Sequence, residues 1–220
     1  MPGETNFHRV IAIDGPAASG KSSVARALAR RLGFVYVNSG AIYRAITWYL
    51  LEQGIDPGDR VAIVQTIRSA RINCGIEDQE SRIRMDDVDP TSQLRDDPVN
   101  RAVSQVSTVA EVRQIATEKM RCFAEEHSLV VEGRDIGSVV FPDTPYKFYI
   151  DASPEVRSRR RAAEGQRDEI AARDRLDSSR RAAPLMIAGD AHVIDTSNLT
   201  IDEVVDEILR RLHQKNFAVG

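Results

Sequence analysis

Arg9-Val10-Ile11-Ala12-Ile13-Asp14 runs directly into Gly15-Pro16-Ala17-Ala18-Ser19-Gly20-Lys21-Ser22, and the chain then turns amphipathic from Lys21 to Leu32. The first run, short and β-branched, reads as a strand. In the last, Val24, Leu28 and Leu32 recur at helical spacing, and Gly33 stands where a helix commonly ends on glycine. Between them, Gly15 to Ser22 satisfies G-x-x-x-x-G-K-[ST] at every specified position, in the strand–loop–helix setting that gives the motif its meaning. A glycine-rich turn lets successive backbone N–H groups converge on phosphate oxygens, and the following helix adds its positive dipole end. The stretch Gly15 to Ser23 is therefore the expected nucleotide-binding loop. Lys21 supplies a charge between the β- and γ-phosphates, and the Ser22 hydroxyl is a ligand for Mg²⁺. The loop implies ATP or GTP but names no reaction.

Outward from this unit, strand and helix signals alternate. Phe34-Val35-Tyr36-Val37 reads as a strand, and Ser39-Gly40 opens a helix to about Leu51. Leu129-Val130-Val131-Glu132-Gly133, Lys147-Phe148-Tyr149-Ile150 and His192-Val193-Ile194-Asp195 are further strands. Pro154 suits the first turn of an arginine-rich helix, and Thr200-Ile201-Asp202-Glu203 starts a last one whose core face is Val204, Val205, Ile208 and Leu212. Such alternation predicts an α/β fold, a three-layer α/β/α sandwich on a parallel sheet. The middle of the chain departs from it: strand-like pieces at Arg71–Cys74 and Arg82–Met85 predict a small β insertion projecting from the core. A long helix is expected from about Val103 to Glu126. One domain spans 1–220, with core at 8–70, 101–156 and 182–220, an insertion at about 71–100 and a short lid at about 157–181.

Bulk properties exclude several classes. A chain of 220 residues, 42% hydrophobic and 29% charged, is an ordinary globular composition. The formal net charge of −3 argues against a protein built to coat nucleic acid or an acidic membrane. Cys74 and Cys122 have no paired spacing, so neither a disulfide framework nor a zinc site is expected. The four histidines, His8, His127, His192 and His213, are scattered and read as structural or exposed. The first residues lack the apolar stretch of a signal peptide, and no window suits a membrane span. A cytoplasmic monomer is the expectation.

Three further motifs, Ser39-Gly40-Ala41-Ile42-Tyr43-Arg44, Gly133-Arg134-Asp135-Ile136-Gly137 with Val139-Val140-Phe141-Pro142, and Arg173-Asp174 through Asp177 and Arg180 to Leu185, recur in order behind the phosphate loop. Together they resemble the bacterial cytidylate kinases, from about Val10 to Leu209. The resemblance implies transfer of phosphate from ATP with Mg²⁺ to CMP and dCMP, and it makes the β excursion the acceptor-binding insertion. It implies that Arg44, Arg134 and Arg180 hold the acceptor phosphate, with Ser39 and Tyr43 in the same motif. It also implies that Ser104, Arg113 and Asp135 read the base and that Arg173 and Asp177 contact the ribose. Lys21, Arg134 and Arg180 are then the residues nearest the chemistry.

Residue chemistry points the same way. A monophosphate acceptor is largely dianionic near neutral pH, its second pKa being about 6, so it needs no general base. It needs cations, because two anionic groups must approach in line, and planar guanidinium groups grip phosphate oxygens bidentately. Cytosine offers an N4 amino donor beside N3 and O2 acceptors. A carboxylate such as Asp135 accepts from the first while Arg113 and Ser104 donate to the others.

The helix that begins at Ser153 carries Arg157, Arg159, Arg160 and Arg161 and resembles the start of a lid closing over ATP, with Arg157 and Arg160 expected at its phosphates. Arg159 and Arg161 read as solvated surface. From Ala162 to Ala172 the connection is shorter than the family's lid. Glu132 lies at a plausible strand end, but the resemblance assigns it no metal role. Two rival readings stand beside this one: a phosphate-loop kinase for another small acceptor such as shikimate, and a non-catalytic nucleotide sensor or RNA binder. The intact Lys21-Ser22 pair and the few interleaved aromatics argue against the second.

Overall fold

The computed structural model describes residues 9–163 and 186–217. Among them, seven strands form one sheet: β1 Val10–Asp14, β2 Val35–Asn38, β3 Ile72–Glu77, β4 Glu80–Met85, β5 Leu129–Gly133, β6 Tyr146–Asp151 and β7 His192–Asp195, in the order β3-β4-β2-β5-β1-β6-β7. The described helices are α1 Lys21–Leu32, α2 Ser39–Glu52, α3 Arg60–Ser69, α4 Asp97–Val106, α5 Ala110–Glu126, α6 Pro154–Ala163 and α7 Ile201–Gln214, with a short π-helical turn at Ile136–Val140.

β1 lies at the centre, parallel to β5 on one side and β6 on the other. A strand covered on both faces requires an unbroken apolar run, which Val10 to Ile13 provides. Successive residues feed opposite layers. Ile11 and Ile13 pack with Val24 and Leu28 of α1 and Ile208 and Leu212 of α7. Ala12 joins Ile42 and Ile46 of α2 and Val112 and Ala116 of α5 on the other face. Tyr36 against Val35 and Val37, and Val130 against Leu129 and Val131, divide in the same way. The expected three layers are present, with parallel pairing throughout except between β3 and β4. Helix ends follow local chemistry: Gly33 takes φ 69° after α1, and Thr200 with Glu203 forms a capping box at the head of α7.

Two expectations are corrected, and one helix is added. The β insertion forms a hairpin that continues the sheet beyond β2, because Tyr36 pairs with Glu80 in parallel and its N–H donates to Gln79 O at 2.8 Å. The single helix expected from Val103 to Glu126 is two. The Ser107 and Thr108 hydroxyls donate to Ser104 O and Gln105 O at 2.9 and 2.7 Å, tightening the end of α4, and α5 restarts after Val109. α3 went unread in the sequence: Asp59 caps it by accepting from Ala62 N at 2.9 Å, and Ile63 and Ile67 bury its inner face.

Candidate functional site

The carboxyl ends of β1, β2 and β5 open onto one cleft of about 540 Å³, lined by Ala17, Ala18, Gly20, Lys21, Ser22 and Ser23 of the loop and by Ser39, Tyr43, Arg44, Ser104, Arg134 and Asp135 opposite. Such crevices are where parallel α/β sheets bind ligands. The loop's shape is dictated at its first residue: a Cβ on Gly15 would lie 2.1 Å from Ile150 O, so only glycine lets β1 turn away beside β6. Gly20 at φ 91° and Ala18 at φ 57° complete the wrap, the latter a left-handed conformation that is costly for a residue with a side chain.

Four cations grip carbonyl oxygens of this loop. Lys21 Nζ donates to Pro16 O at 2.9 Å, Arg134 Nη1 to Gly15 O at 2.7 Å, Arg157 Nη1 to Ala17 O at 3.3 Å and Arg160 Nη1 to Ser19 O at 3.0 Å. Arg157 and Arg160, expected at ATP phosphates, thus sit against loop carbonyls and outside the cleft lining. The α6 arginine that lines the cleft is Arg161, which sequence reasoning read as surface.

At the head of α1 the Ser22 hydroxyl donates to Glu132 Oε1 at 2.8 Å, and the Tyr36 hydroxyl donates to the same oxygen at 2.9 Å. Glu132 is buried. Burial and the neighbouring carboxylate push the Tyr36 phenol far above its ordinary pKa, so it stays a donor. A hydroxyl beside a carboxylate at a nucleotide loop is the oxygen donor set a hard divalent cation takes, and Mg²⁺ keeps several waters of its own. Among the described residues no larger cluster of His, Cys, Asp or Glu gathers. The residues present therefore fit Mg²⁺ carried in with a nucleotide.

Opposite the loop, Arg113 reaches in from α5 to pair with Asp135 Oδ2, both side chains almost fully enclosed, and its guanidinium lies 5.7 Å from the Tyr43 ring centroid. Two buried charges are tolerated here because each is the other's partner. Arg44 donates to Asn100 Oδ1 at 3.3 Å, tying α2 to α4 across the acceptor side. Gly133 is required between these groups, since a Cβ there would meet Ser39 Oγ at 2.6 Å.

Asp14, the last residue of β1, holds the Arg134–Asp135 segment in register: its two oxygens accept from Ile136 N and Gly137 N, each at 2.8 Å. Burial pushes its carboxyl up to about 6, against the pull of those two amides. The segment continues into the π-helical turn, a feature often found beside functional sites. Asp14, Tyr36, Glu132 and Arg161 are the site residues that sequence motifs did not single out, although Asp14 closes one buried strand and Glu132 stands one residue before the end of another. Arg173, Asp177 and Arg180 lie outside the described residues.

Comparison with known proteins agrees with this arrangement. The chain matches the family described as cytidylate kinase over residues 11–214. It is 40% identical over 218 residues to a cytidylate kinase of Streptomyces avermitilis, covering 95% of this chain and 94% of that one. It is 43% identical over 213 residues to one from Corynebacterium efficiens, covering 91% and 93%. A third, from Mycobacterium leprae, is 42% identical over 222 residues, with 96% and 98% covered. With the phosphate loop, the paired Arg113 and Asp135 and this near-complete likeness together, the chain belongs to the cytidylate kinase family.

Proposed function

We infer that the protein transfers the γ-phosphoryl group of ATP to CMP or dCMP, releasing ADP and CDP or dCDP. The observation that carries the reading is one cleft in which the phosphate loop, from Ala17 to Ser23, faces Arg44, Arg134 and Asp135, the last held by Arg113 behind it. An oxygen of the acceptor phosphate attacks the γ-phosphorus in line, and the bond from that phosphorus to the bridging oxygen of ADP breaks. No proton has to leave the nucleophile, since the acceptor is already largely dianionic at neutral pH. Catalysis is then positioning and charge neutralisation.

Each residue has a part in that scheme. The loop amides from Gly15 to Ser23 hold the donor phosphates. Lys21 exchanges Pro16 O for phosphate oxygens and follows the charge that develops between donor and leaving group. Mg²⁺, when bound with ATP, neutralises β- and γ-oxygens, and Ser22 and Glu132 are the residues that would hold it. Arg44 and Arg134, with Arg180, grip the acceptor phosphate. Asp135 accepts from the cytosine amino group while Arg113 and Ser104 donate to the ring acceptors. Uracil would present a carbonyl oxygen to the same carboxylate and leave buried polar groups mismatched, a basis for strong discrimination. Ser39, Tyr43, Arg173 and Asp177 complete the acceptor contacts.

We place the reaction in pyrimidine nucleotide metabolism, performed by a cytoplasmic monomer with no nucleic-acid or membrane partner. Among the described residues no helix is long and apolar enough to cross a membrane. The test is ADP release with ATP and Mg²⁺ and equal CMP, dCMP, UMP, AMP and GMP. Turnover with CMP and dCMP well above the others is expected. Equal turnover with all five, or ATP binding without turnover, would overturn the assignment.

A further inference from the structure

Against the phosphate loop, the ends of β6 and β7, the start of α1 and the helix α6 meet at two side chains that do not line the cleft. Thr196 follows β7 and is almost fully buried. Its N–H donates to Asp151 O at 2.8 Å, and its hydroxyl lies 2.9 Å from Ser19 O and 3.0 Å from Asp151 O. Arg160 comes from α6 and spends three hydrogen bonds at the same point: Nη1 to Ser19 O and to Thr196 Oγ1 at 3.0 and 3.1 Å, and Nη2 to Thr196 O at 2.8 Å.

Ser19 O is the carbonyl just past Ala18, the residue the loop keeps at φ 57°. A left-handed alanine costs about 1 kcal/mol or more and persists only where its neighbours fix it. On one side Ala17 O is held by Arg157; on the other Ser19 O accepts from both Arg160 and Thr196. A Cβ on Gly20 would come within 3.3 Å of Arg160 Nη1, so the guanidinium also fits closely against the loop's last glycine.

We propose that Arg160 and Thr196 are positioning residues that act together through Ser19 O to keep the phosphate loop in its binding shape before ATP arrives, and that Arg160 is not a ligand of the transferring phosphoryl group. Bound phosphates would themselves organise the loop, so the contribution of the pair falls on ATP affinity and little on the chemical step. The proposal rests on the reading of this loop as the ATP site.

The experiment is a double-mutant cycle on the full chain with Arg160→Ala, Thr196→Val and the pair, alongside Thr196→Ser. A fluorescent ATP analogue gives Kd, steady-state assays give kcat and both KM values, and thermal melting checks folding. Each single change is expected to raise Kd for ATP about ten-fold, leave kcat at saturating ATP within about three-fold and leave the KM for CMP unmoved. The double variant should match the singles, because both remove the same restraint, and Thr196→Ser should restore the wild-type Kd. Additive losses overturn the proposal, as does a hundred-fold drop in kcat for Arg160→Ala with Thr196→Val unaffected. Should Arg160→Ala not fold, the contrast between Thr196→Val and Thr196→Ser decides: equal Kd values refute it. Failure of the wild-type protein to bind the analogue would instead overturn the ATP reading itself.

Discussion

The Ser22 hydroxyl donates to Glu132 Oε1 across 110 residues of sequence, joining the first turn of the loop helix to the end of β5 at 2.8 Å. Tyr36 donates to that same oxygen. Removing the carboxylate therefore strands two hydroxyls. Glu132→Ala is expected to raise the Mg²⁺ concentration giving half-maximal rate at least ten-fold, and to lower stability by about 2 kcal/mol through the unsatisfied hydroxyls. A Mg²⁺ titration of turnover and a denaturant melt check the two halves separately; an unchanged Mg²⁺ dependence would remove Glu132 from the metal's surroundings.

Glycines in this chain differ sharply in what they permit. Gly15→Ala drives a methyl against Ile150 O and should abolish ATP binding. Gly75→Ala, on the exposed hairpin, meets nothing within 4 Å and should alter stability by no more than about 0.5 kcal/mol. Isothermal titration with ATP and thermal melting of both variants test the contrast.

Asp14 gives a pH signature whose sign is fixed by its burial. Its folded pKa, about 6, exceeds the ordinary value of 3.8, so between those limits the folded state holds a proton that the unfolded state has released. The cost of the buried charge is fully present above pH 6 and is relieved as pH falls toward 4, a span of about 3 kcal/mol. Carboxyl carbon NMR should show a titration centred near 6. In Asp14→Asn, stability should climb more steeply with pH over the same window than in the wild type. A midpoint near 4 would contradict the assignment.

Asp135 carries both recognition and balance of charge. Asp135→Ala leaves the buried Arg113 guanidinium without its carboxylate, which should cost about 3 kcal/mol or more. It should also bring the CMP and UMP values of kcat/KM together. The double variant Arg113→Met with Asp135→Ala is expected to recover much of the stability but none of the selectivity. Retained selectivity in either variant would take base reading away from this pair.

Sequence alone made the β1–loop–α1 unit legible because everything that defines it is local: an apolar run, spaced glycines and helical periodicity within 23 residues, from Val10 to Leu32. The three layers followed from the same alternation repeated. What stayed hidden was set by distant partners. Asp14 finds its amides 122 and 123 residues away, and Thr196 meets Ser19 O over 177. The break between α4 and α5 depends on two hydroxyls turning back onto the carbonyls of the last turn, a choice that Ser107 and Thr108 leave open until the chain is packed. Arg160 and Arg161 are adjacent and chemically identical, so only the placement of α6 decides which one faces the cleft.

The edge hairpin has a further consequence. It meets the rest of the sheet at the single pair Tyr36–Glu80, reinforced by Arg26 donating to Glu80 at 2.7 Å. β1, by contrast, is laced along its length on both sides. In hydrogen exchange the amides of Ile72–Met85 should open together as a unit of low free energy, well before those of Val10–Asp14 and Leu129–Gly133. One stretch of the cleft wall, Glu80 to Arg82, would then loosen while the phosphate loop stays folded, letting a nucleotide come and go without melting the central strands behind its partner.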